Sequence, residues 1–224
     1  MNTQLVEIAG LAARIVGRDD AALTAILLHG FGAPGDDLVD LAQYLAAPAR
    51  FVFPAAPITL PGVYGEGRAW WPLDLAKLDA QLRSGKRDFS EIPDGLADAR
   101  AKLTQLVDHY AGKPVVLGGF SQGAMLALDV ALHRASPLAG VVQLSGTLIA
   151  EPEWTPLLPR MAGVPVFMAH GRRDPLLPFA IAELLRDRLI AAGANVEWHA
   201  FDGGHEIPQR VLDALGTFLS VVIK

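Results

Sequence analysis

The sequence predicts an α/β fold in which a mainly parallel β-sheet carries helices on both faces. Short runs rich in Val, Ile and Leu alternate with longer segments of helical periodicity, an alternation typical of strands joined by crossover helices. The runs are continuously apolar, as expected for strands that are buried on both faces. A chain of 224 residues suits one such domain, and we expect residues 1–224 to form it.

Six buried strands are predicted along the chain, at 25–29, 50–53, 114–118, 138–144, 164–169 and 195–201. Apolar runs around Leu5 and Ile15 are expected to add a hairpin at one edge of the sheet. Five helices are predicted, at 36–45, 93–110, 122–133, 179–192 and 206–222. The one long irregular stretch, 54–72, is rich in Pro, Gly and aromatic residues and is predicted to be a substrate loop.

Composition and charge exclude several classes of protein. Hydrophobic residues make up 51% of the chain, which excludes intrinsic disorder. The net charge is −5 and no run of Lys or Arg occurs, so neither nucleic acid nor an anionic membrane surface is an expected partner. Cysteine is absent, which excludes disulfides, thiolate nucleophiles and zinc sites built on sulfur. Any nucleophile must therefore be an oxygen or a nitrogen atom.

The sequence shows neither a secretory signal pattern nor a membrane-spanning pattern. The first residues show no basic segment followed by an apolar stretch. No run reaches the roughly 18 uninterrupted apolar residues that a membrane span needs. We therefore expect a cytoplasmic protein without stable membrane insertion.

The strongest chemical signal is a G-x-S-x-G pattern at 119–123, with Ser121 at its centre. It directly follows the predicted strand 114–118 and directly precedes the helical segment that begins at Gln122. A serine between strand and helix sits on a strained turn, whose glycines leave room for an incoming carbonyl group. The alternative is a glycine-rich turn with an incidental serine, which these flanks disfavour. Ser121 is therefore the predicted nucleophile.

A serine nucleophile needs a base within hydrogen-bond reach. His205 follows the last predicted strand and precedes the last helix, which is where the chain order serine, acid, histidine places the base. The remaining histidines lie near helix ends, inside a strand or at strand ends, where surface or backbone-bonding roles are expected; they are His29, His109, His133, His170 and His199.

The acid that orients this base is predicted to be Asp174, on the loop after the strand 164–169. Sites in open α/β sheets assemble at the carboxyl ends of the strands. An Asp before a proline is also a common turn residue, and Asp202 and Glu206 beside the histidine are rivals. Neighbours in sequence seldom orient the same imidazole, so we favour Asp174.

Acyl transfer also needs hydrogen-bond donors for an oxyanion. The amide that follows the nucleophile supplies one, here that of Gln122. The second amide comes from the loop after an earlier strand, which nominates the backbone of Phe31.

The same turn also satisfies a dinucleotide-binding pattern, G-x-G-x-x-G at 30–35. That pattern calls for an acidic residue about 20 positions later, at the end of the next strand. Residues 51–55 are Phe-Val-Phe-Pro-Ala and offer no carboxylate. An NAD(P)-dependent oxidoreductase is therefore a weak alternative.

Four segments together resemble the phospholipase/carboxylesterase family of the α/β-hydrolase superfamily, which includes bacterial carboxylesterases and acyl-protein thioesterases. The segments are Leu-Leu-His-Gly-Phe-Gly at 27–32, Arg-Ala-Trp-Trp at 68–71, Gly-Phe-Ser-Gln-Gly at 119–123 and Gly-His at 204–205. They are similar to the family's oxyanion segment, loop motif, nucleophile elbow and histidine site. The resemblance implies an α/β-hydrolase fold and a serine esterase, with no metal or organic cofactor. Pro72 departs from the family's usual continuation of the loop motif, which affects the shape of the pocket.

Apolar residues near the predicted site favour a substrate with an apolar acyl group. We predict that Trp70, Trp71 and Leu176 contact it. Large apolar residues are also common in cores, so each has a packing alternative. The wider apolar set is Leu60, Val63, Tyr64, Trp70, Trp71, Leu176, Leu177 and Phe179.

The sequence thus predicts a serine hydrolase that cleaves carboxylic ester or thioester bonds of small molecules through an acyl-enzyme. The main alternative is a noncatalytic binding protein of the same fold, which the three triad candidates disfavour. The resemblance also suggests a homodimer as an assembly to test.

Overall fold

The computed structural model describes residues 3–84 and 88–222. Their strands are β1 (Thr3–Ile8), β2 (Leu11–Val16), β3 (Leu23–Leu28), β4 (Ala49–Pro54), β5 (Ile58–Thr59), β6 (Arg68–Ala69), β7 (Val115–Phe120), β8 (Gly140–Leu144), β9 (Pro165–Gly171) and β10 (Asn195–Phe201). Their α-helices are α1 (Leu75–Ser84), α2 (Leu96–His109), α3 (Gln122–His133), α4 (Glu151–Trp154), α5 (Phe179–Ala191) and α6 (Gln209–Val221). Short 3-10 segments lie at Val39–Gln43, Gly62–Tyr64 and Thr155–Met161.

The main sheet has eight strands in the order β1-β2-β4-β3-β7-β8-β9-β10. Strand β2 is antiparallel to both of its neighbours, and all strand pairs from β4 to β10 are parallel. The predicted edge hairpin is confirmed as β1 and β2. The carboxyl ends of the parallel strands therefore lie along one edge of the sheet, where the predicted site residues follow β3, β7, β9 and β10.

Successive residues of the central strands alternate between two apolar layers. In β3, Ala25 and Leu27 belong to one layer, and Ile26 and Leu28 belong to the other. Helices α2, α3 and α5 cover the layer of Ile26, whereas α6 and the 3-10 segment Val39–Gln43 cover the layer of Ala25. Both faces of the sheet are covered, and the predicted fold class is confirmed.

The predicted helix 36–45 is wrong in its hydrogen-bond pattern. Only Val39–Gln43 is helical, and it is a 3-10 segment flanked by turns. Leu38, Ala42 and Leu45 are nevertheless buried in the layer that α6 covers. The apolar side chains keep a spacing of three or four residues and face the sheet. The backbone that carries them forms turns and a 3-10 segment instead of an α-helix.

Several further elements were not predicted. These are helices α1 and α4 and the 3-10 segment Thr155–Met161. The predicted loop 54–72 contains the small hairpin of β5 and β6. Within the described residues, no helix is both long enough and apolar enough to span a bilayer.

A buried ion pair fixes α3 against α2. Asp129 on α3 has no exposed side-chain surface and accepts hydrogen bonds from Arg100 Nε at 2.5 Å and Trp154 Nε1 at 2.9 Å. Arg100 Nη2 also bonds Glu153 at 2.9 Å. Ligand atoms of Asp129, His133 and Glu153 lie within 4.8 Å of one another, but the guanidinium group of Arg100 already binds both carboxylates.

We expect Arg100→Leu to lower the free energy of unfolding by about 3 kcal/mol, because it leaves the Asp129 carboxylate buried and uncompensated. Urea denaturation measures this change. The matched variant Arg18→Leu removes a cation whose side chain is 83% exposed beside Asp20, and it should leave the midpoint unchanged. Equal midpoints for the wild type and Arg100→Leu would show that the pair contributes nothing.

Candidate active site

The turn between β7 and α3 presents Ser121 with a strained backbone. Its φ is 55° and its ψ is −117°, a conformation that residues with a side chain rarely adopt. The amide of Ser121 donates to the carbonyl of Leu144 at 2.9 Å, and its carbonyl accepts from the amide of Met125 at 3.1 Å. The turn is therefore held from β8 on one side and from α3 on the other.

Glycines let this turn pack against the end of β3. A Cβ atom at Gly119 would lie 2.5 Å from the carbonyl oxygen of Leu28, and a Cβ at Gly123 would overlap the same carbonyl group. The G-x-S-x-G pattern thus has a steric reason in this structure: any larger residue at either glycine would push the nucleophile turn away from β3.

The turn that follows β3 brings the second predicted oxyanion donor to the nucleophile. A Cβ at Gly30 would lie 3.3 Å from Cβ of Ser121, so the two turns touch. The amides of Phe31 and Gln122 make no hydrogen bond to another described residue, and both residues line the same cavity as Ser121. Free amides at the start of a helix and on a turn are suitable donors for an oxyanion.

The carboxylate of Asp174 is fully buried and binds His205. Its Oδ2 accepts a 2.7 Å hydrogen bond from Nδ1 of His205, and its Oδ1 accepts the amides of Leu176 and Leu177, each at 2.9 Å. Burial raises the pKa of Asp174, but the hydrogen bonds from His205 and these two amides outweigh it and leave the pKa below its ordinary value. Asp174 is therefore an anion that holds the imidazole.

His205 is held so that its second nitrogen is free. Because Nδ1 carries the proton donated to Asp174, neutral His205 has an unprotonated Nε2. The ring packs on Phe120, with centroids 4.7 Å apart, and His205 lines the cavity together with Ser121. His205 and Ser121, both fully described, are not hydrogen-bonded to each other; such catalytic contacts often tighten only when the substrate binds.

The rival acids do not contact the imidazole. The Asp202 side chain is 78% exposed and lies 3.9 Å from the guanidinium group of Arg172. Glu206 accepts the amide of Gly204 at 3.2 Å. Between the three candidates, the geometry favours Asp174.

The two buried strand-end histidines bond the backbone, as expected. In His29, Nε2 accepts the amide of Ala56 at 3.0 Å, so Nδ1 carries the proton and donates to the carbonyl of Gly30 at 2.8 Å. Burial lowers the pKa of His29. His29 is therefore a neutral residue that supports the oxyanion turn.

His170 has a further contact that the sequence did not reveal. Its Nε2 donates to the carbonyl of Leu177 at 2.8 Å and lies 3.3 Å from Oδ2 of Asp174. The amide of Leu177 bonds the same carboxylate, so His170 holds the residue that in turn bonds the acid. Burial lowers the pKa of His170, against the opposing effects of the Leu177 carbonyl and Asp174. In the sequence, only the position of His170 at the end of a predicted strand, before Gly171, indicated that it could face the site.

The site opens into a cavity of about 660 Å³. Of the predicted apolar residues, Trp71, Leu176 and Leu177 line it, whereas Leu60, Tyr64 and Phe179 do not. The side chain of Val63 lies outside the described part of the structure. Apolar lining residues that the sequence did not suggest include Leu73, Leu75, Phe89, Phe120, Met125, Leu148 and Ile149.

The structure places Trp70, a predicted substrate contact, away from the cavity lining. Trp70 and Trp71 are 2% and 1% exposed, and of the two only Trp71 lines the cavity. Its indole N–H donates to the carbonyl of His29 at 3.0 Å, and its amide donates to Oε1 of Gln122 at 2.9 Å. Trp70 therefore links the turn after β3 to the start of α3.

The dinucleotide pattern at 30–35 has no matching geometry. No α-helix follows it, because turns and the 3-10 segment Val39–Gln43 come next. Gly30 faces Ser121, and a Cβ at Gly35 would overlap Ala55. The glycines serve close packing here, whereas a pyrophosphate site needs a helix N-terminus.

The chain is similar to known proteins over most of its length. A family model described as phospholipase/carboxylesterase matches residues 11–223. Acyl-protein thioesterase 1 of Neurospora crassa is 29% identical over 212 residues, which cover 88% of this chain and 85% of that protein. Acyl-protein thioesterase 1 of Yarrowia lipolytica is 29% identical over 208 residues, with 86% and 88% covered.

Solved structures are similar to this chain over nearly its whole length. The crystal structure of esterase PE8 is 30% identical and superposes with a TM-score of 0.79, covering 97% of this chain and 100% of that one. A carboxylesterase from Mesorhizobium loti shares the fold, with a TM-score of 0.75 at 19% identity, and covers 98% and 99% of the two chains.

The depressed pKa of Asp174 predicts an acid-dependent loss of stability. A carboxyl group whose folded pKa is below its unfolded value stabilises the fold above the unfolded pKa, and this contribution is lost as the pH falls through the folded pKa. Between about pH 5 and about pH 3, the free energy of unfolding should fall more steeply for the wild type than for Asp174→Asn. Urea titrations across this range measure both slopes, and parallel curves would contradict the prediction.

Proposed function

Because the chain belongs to the phospholipase/carboxylesterase family, we propose that it is a serine hydrolase that cleaves carboxylic ester or thioester bonds through an acyl-enzyme on Ser121. One observation carries the proposal. A strained serine, two free amides and a histidine bound to a buried carboxylate meet at one cavity. These are the groups that acyl transfer needs: a nucleophile, oxyanion donors and an oriented base.

In the first half-reaction, Oγ of Ser121 attacks the carbonyl carbon while Nε2 of His205 takes the hydroxyl proton. The carbonyl oxygen becomes an oxyanion that the amides of Phe31 and Gln122 bind. The tetrahedral intermediate collapses, the bond to the alcohol or thiol breaks, and His205 returns the proton to this leaving group. The acyl group remains on Ser121.

In the second half-reaction, His205 takes a proton from water, whose oxygen attacks the acyl-enzyme. The intermediate again collapses, Ser121 leaves with the proton from His205, and the carboxylic acid is released. In both halves His205 becomes an imidazolium ion. The Asp174 carboxylate lies 2.7 Å from Nδ1 and stabilises this charge.

The cavity favours an apolar acyl group, since Leu148, Ile149 and Leu176 line it beside Ser121. Esters and thioesters share the carbonyl group on which this chemistry acts, and relatives named as an esterase and as acyl-protein thioesterases cover both bond types. Contacts of Trp71 and Leu176 with the substrate are part of this proposal. The cytoplasmic location stays a prediction of the sequence, and the homodimer stays a suggestion of the family resemblance.

We expect Ser121→Ala and His205→Ala each to lower kcat/KM at least about 10³-fold, because each removes a group that reacts directly. Hydrolysis of p-nitrophenyl esters of graded chain length measures this, and circular dichroism checks the fold. A serine-reactive organophosphonate should add one adduct to the wild type and none to Ser121→Ala, as seen by protein mass. A folded wild type that shows neither turnover nor adduct would instead favour the noncatalytic binding protein.

Substitution of the two candidate acids, Asp174 and Asp202, tests which of them orients His205. Asp174→Asn should lower kcat about 10³- to 10⁴-fold, because the amide no longer stabilises the imidazolium or fixes its tautomer. Asp202→Asn is the matched control and should stay within about threefold of the wild type, since its exposed side chain does not touch His205. The reverse pattern would assign the acid to Asp202.

A further inference from the structure

We propose that the side chain of Gln122 is a positioning residue that fixes the distance between the two oxyanion amides. This role rests on the proposed function, because it concerns the same oxyanion. It differs from the role of the Gln122 backbone amide, which any residue at this position retains. The carboxamide acts through another segment of the chain, residues 68–71.

The Gln122 carboxamide makes two hydrogen bonds to the backbone of that segment. Gln122 is only 1% exposed. Its Oε1 accepts the amide of Trp70 at 2.9 Å, and its Nε2 donates to the carbonyl of Trp71 at 2.8 Å. A donor and an acceptor on one rigid group thus bind neighbouring residues, which fixes the segment in two directions relative to α3.

The other side of the same segment holds the oxyanion turn after β3. Nε1 of Trp70 donates to the carbonyl of His29 at 3.0 Å. The amide of Gly32 donates to the carbonyl of Arg68 at 2.9 Å, and the amide of Arg68 donates to the carbonyl of Ala33 at 2.9 Å. Phe31, the proposed second donor, lies between these attachments. The segment 68–71 is therefore a bridge between the two amides.

This bridge matters because the oxyanion donors come from different elements. Gln122 starts α3 and Phe31 follows β3, and oxyanion stabilisation requires both amides at about 2.7–3.1 Å from the same oxygen. Glycine contacts hold β3 and α3 together, but Phe31 lies beyond β3 on a turn. A displacement of about 1 Å can cost about 10²-fold in rate.

The chain offers a matched control in Gln143 on β8. It is also 1% exposed, and its Nε2 donates to the carbonyl of Ala124 at 2.7 Å. None of its described hydrogen bonds reaches the segment 68–71 or the oxyanion turn. Replacement of either glutamine by methionine keeps the side-chain length and removes the carboxamide, so a general loss of stability should affect both variants.

The experiment compares the wild type, Gln122→Met and Gln143→Met in ester hydrolysis and in inhibition by an alkyl trifluoromethyl ketone. This ketone forms a tetrahedral adduct with the nucleophilic serine and so reports on oxyanion binding. For Gln122→Met we expect kcat to fall about 10- to 100-fold and the ketone Ki to rise by a similar factor. KM should change less than threefold. Gln143→Met should keep kcat and Ki within about threefold of the wild type.

A second variant tests the same bridge if Gln122→Met does not fold. Trp70→Phe keeps an aromatic ring and removes the indole N–H that binds His29, so kcat and the affinity for the ketone should fall together. Unchanged kcat and Ki in a folded Gln122→Met, or equal losses in Gln143→Met, would overturn the positioning role. A wild type without Ser121-dependent turnover would overturn the proposed function itself, and this is seen before any glutamine variant is compared.

Discussion

The backbone turn at Ser121 holds a non-glycine residue at a φ of 55°, and the other site residues are arranged around it. Such a conformation costs about 1–3 kcal/mol and persists only where the surroundings determine it fully. Here Leu144 of β8 and Met125 of α3 bond the turn, while the glycines on either side admit the end of β3. The strain is offset by the packing of the central sheet, so the rigidity of the fold keeps Ser121 in position at the cavity.

Each side of this turn is supported by side chains that bond backbone groups. On the acid side, His170 bonds the carbonyl of Leu177, whose amide bonds Asp174. On the oxyanion side, Gln122 and Trp70 bond backbone groups of two different segments. The groups proposed to react lie at turns and loop ends, which are mobile in isolation. Buried hydrogen bonds to the backbone give them fixed positions relative to the sheet.

The sequence predicted the parts of the fold and site that depend on local pattern and chain order. Apolar runs located the central strands, and the positions of Ser121, Asp174 and His205 after β7, β9 and β10 followed from that order. It could not show whether a large apolar residue faces a cavity or the core, and of the two neighbouring tryptophans only Trp71 lines the cavity. Contacts such as that of His170 with Asp174 depend on side-chain packing, which no spacing encodes.

The division between neighbouring tryptophans shows how substrate preference is separated from the catalytic framework. Both residues bond the Gln122 carboxamide through their backbone, but only the Trp70 side chain also bonds His29, and only Trp71 lines the cavity. Other walls come from α1 and its flanks and from Leu148 and Ile149, and among the described residues their hydrogen bonds do not reach the triad or the oxyanion amides. Changes in these walls can therefore alter the acyl group that fits without disturbing Ser121.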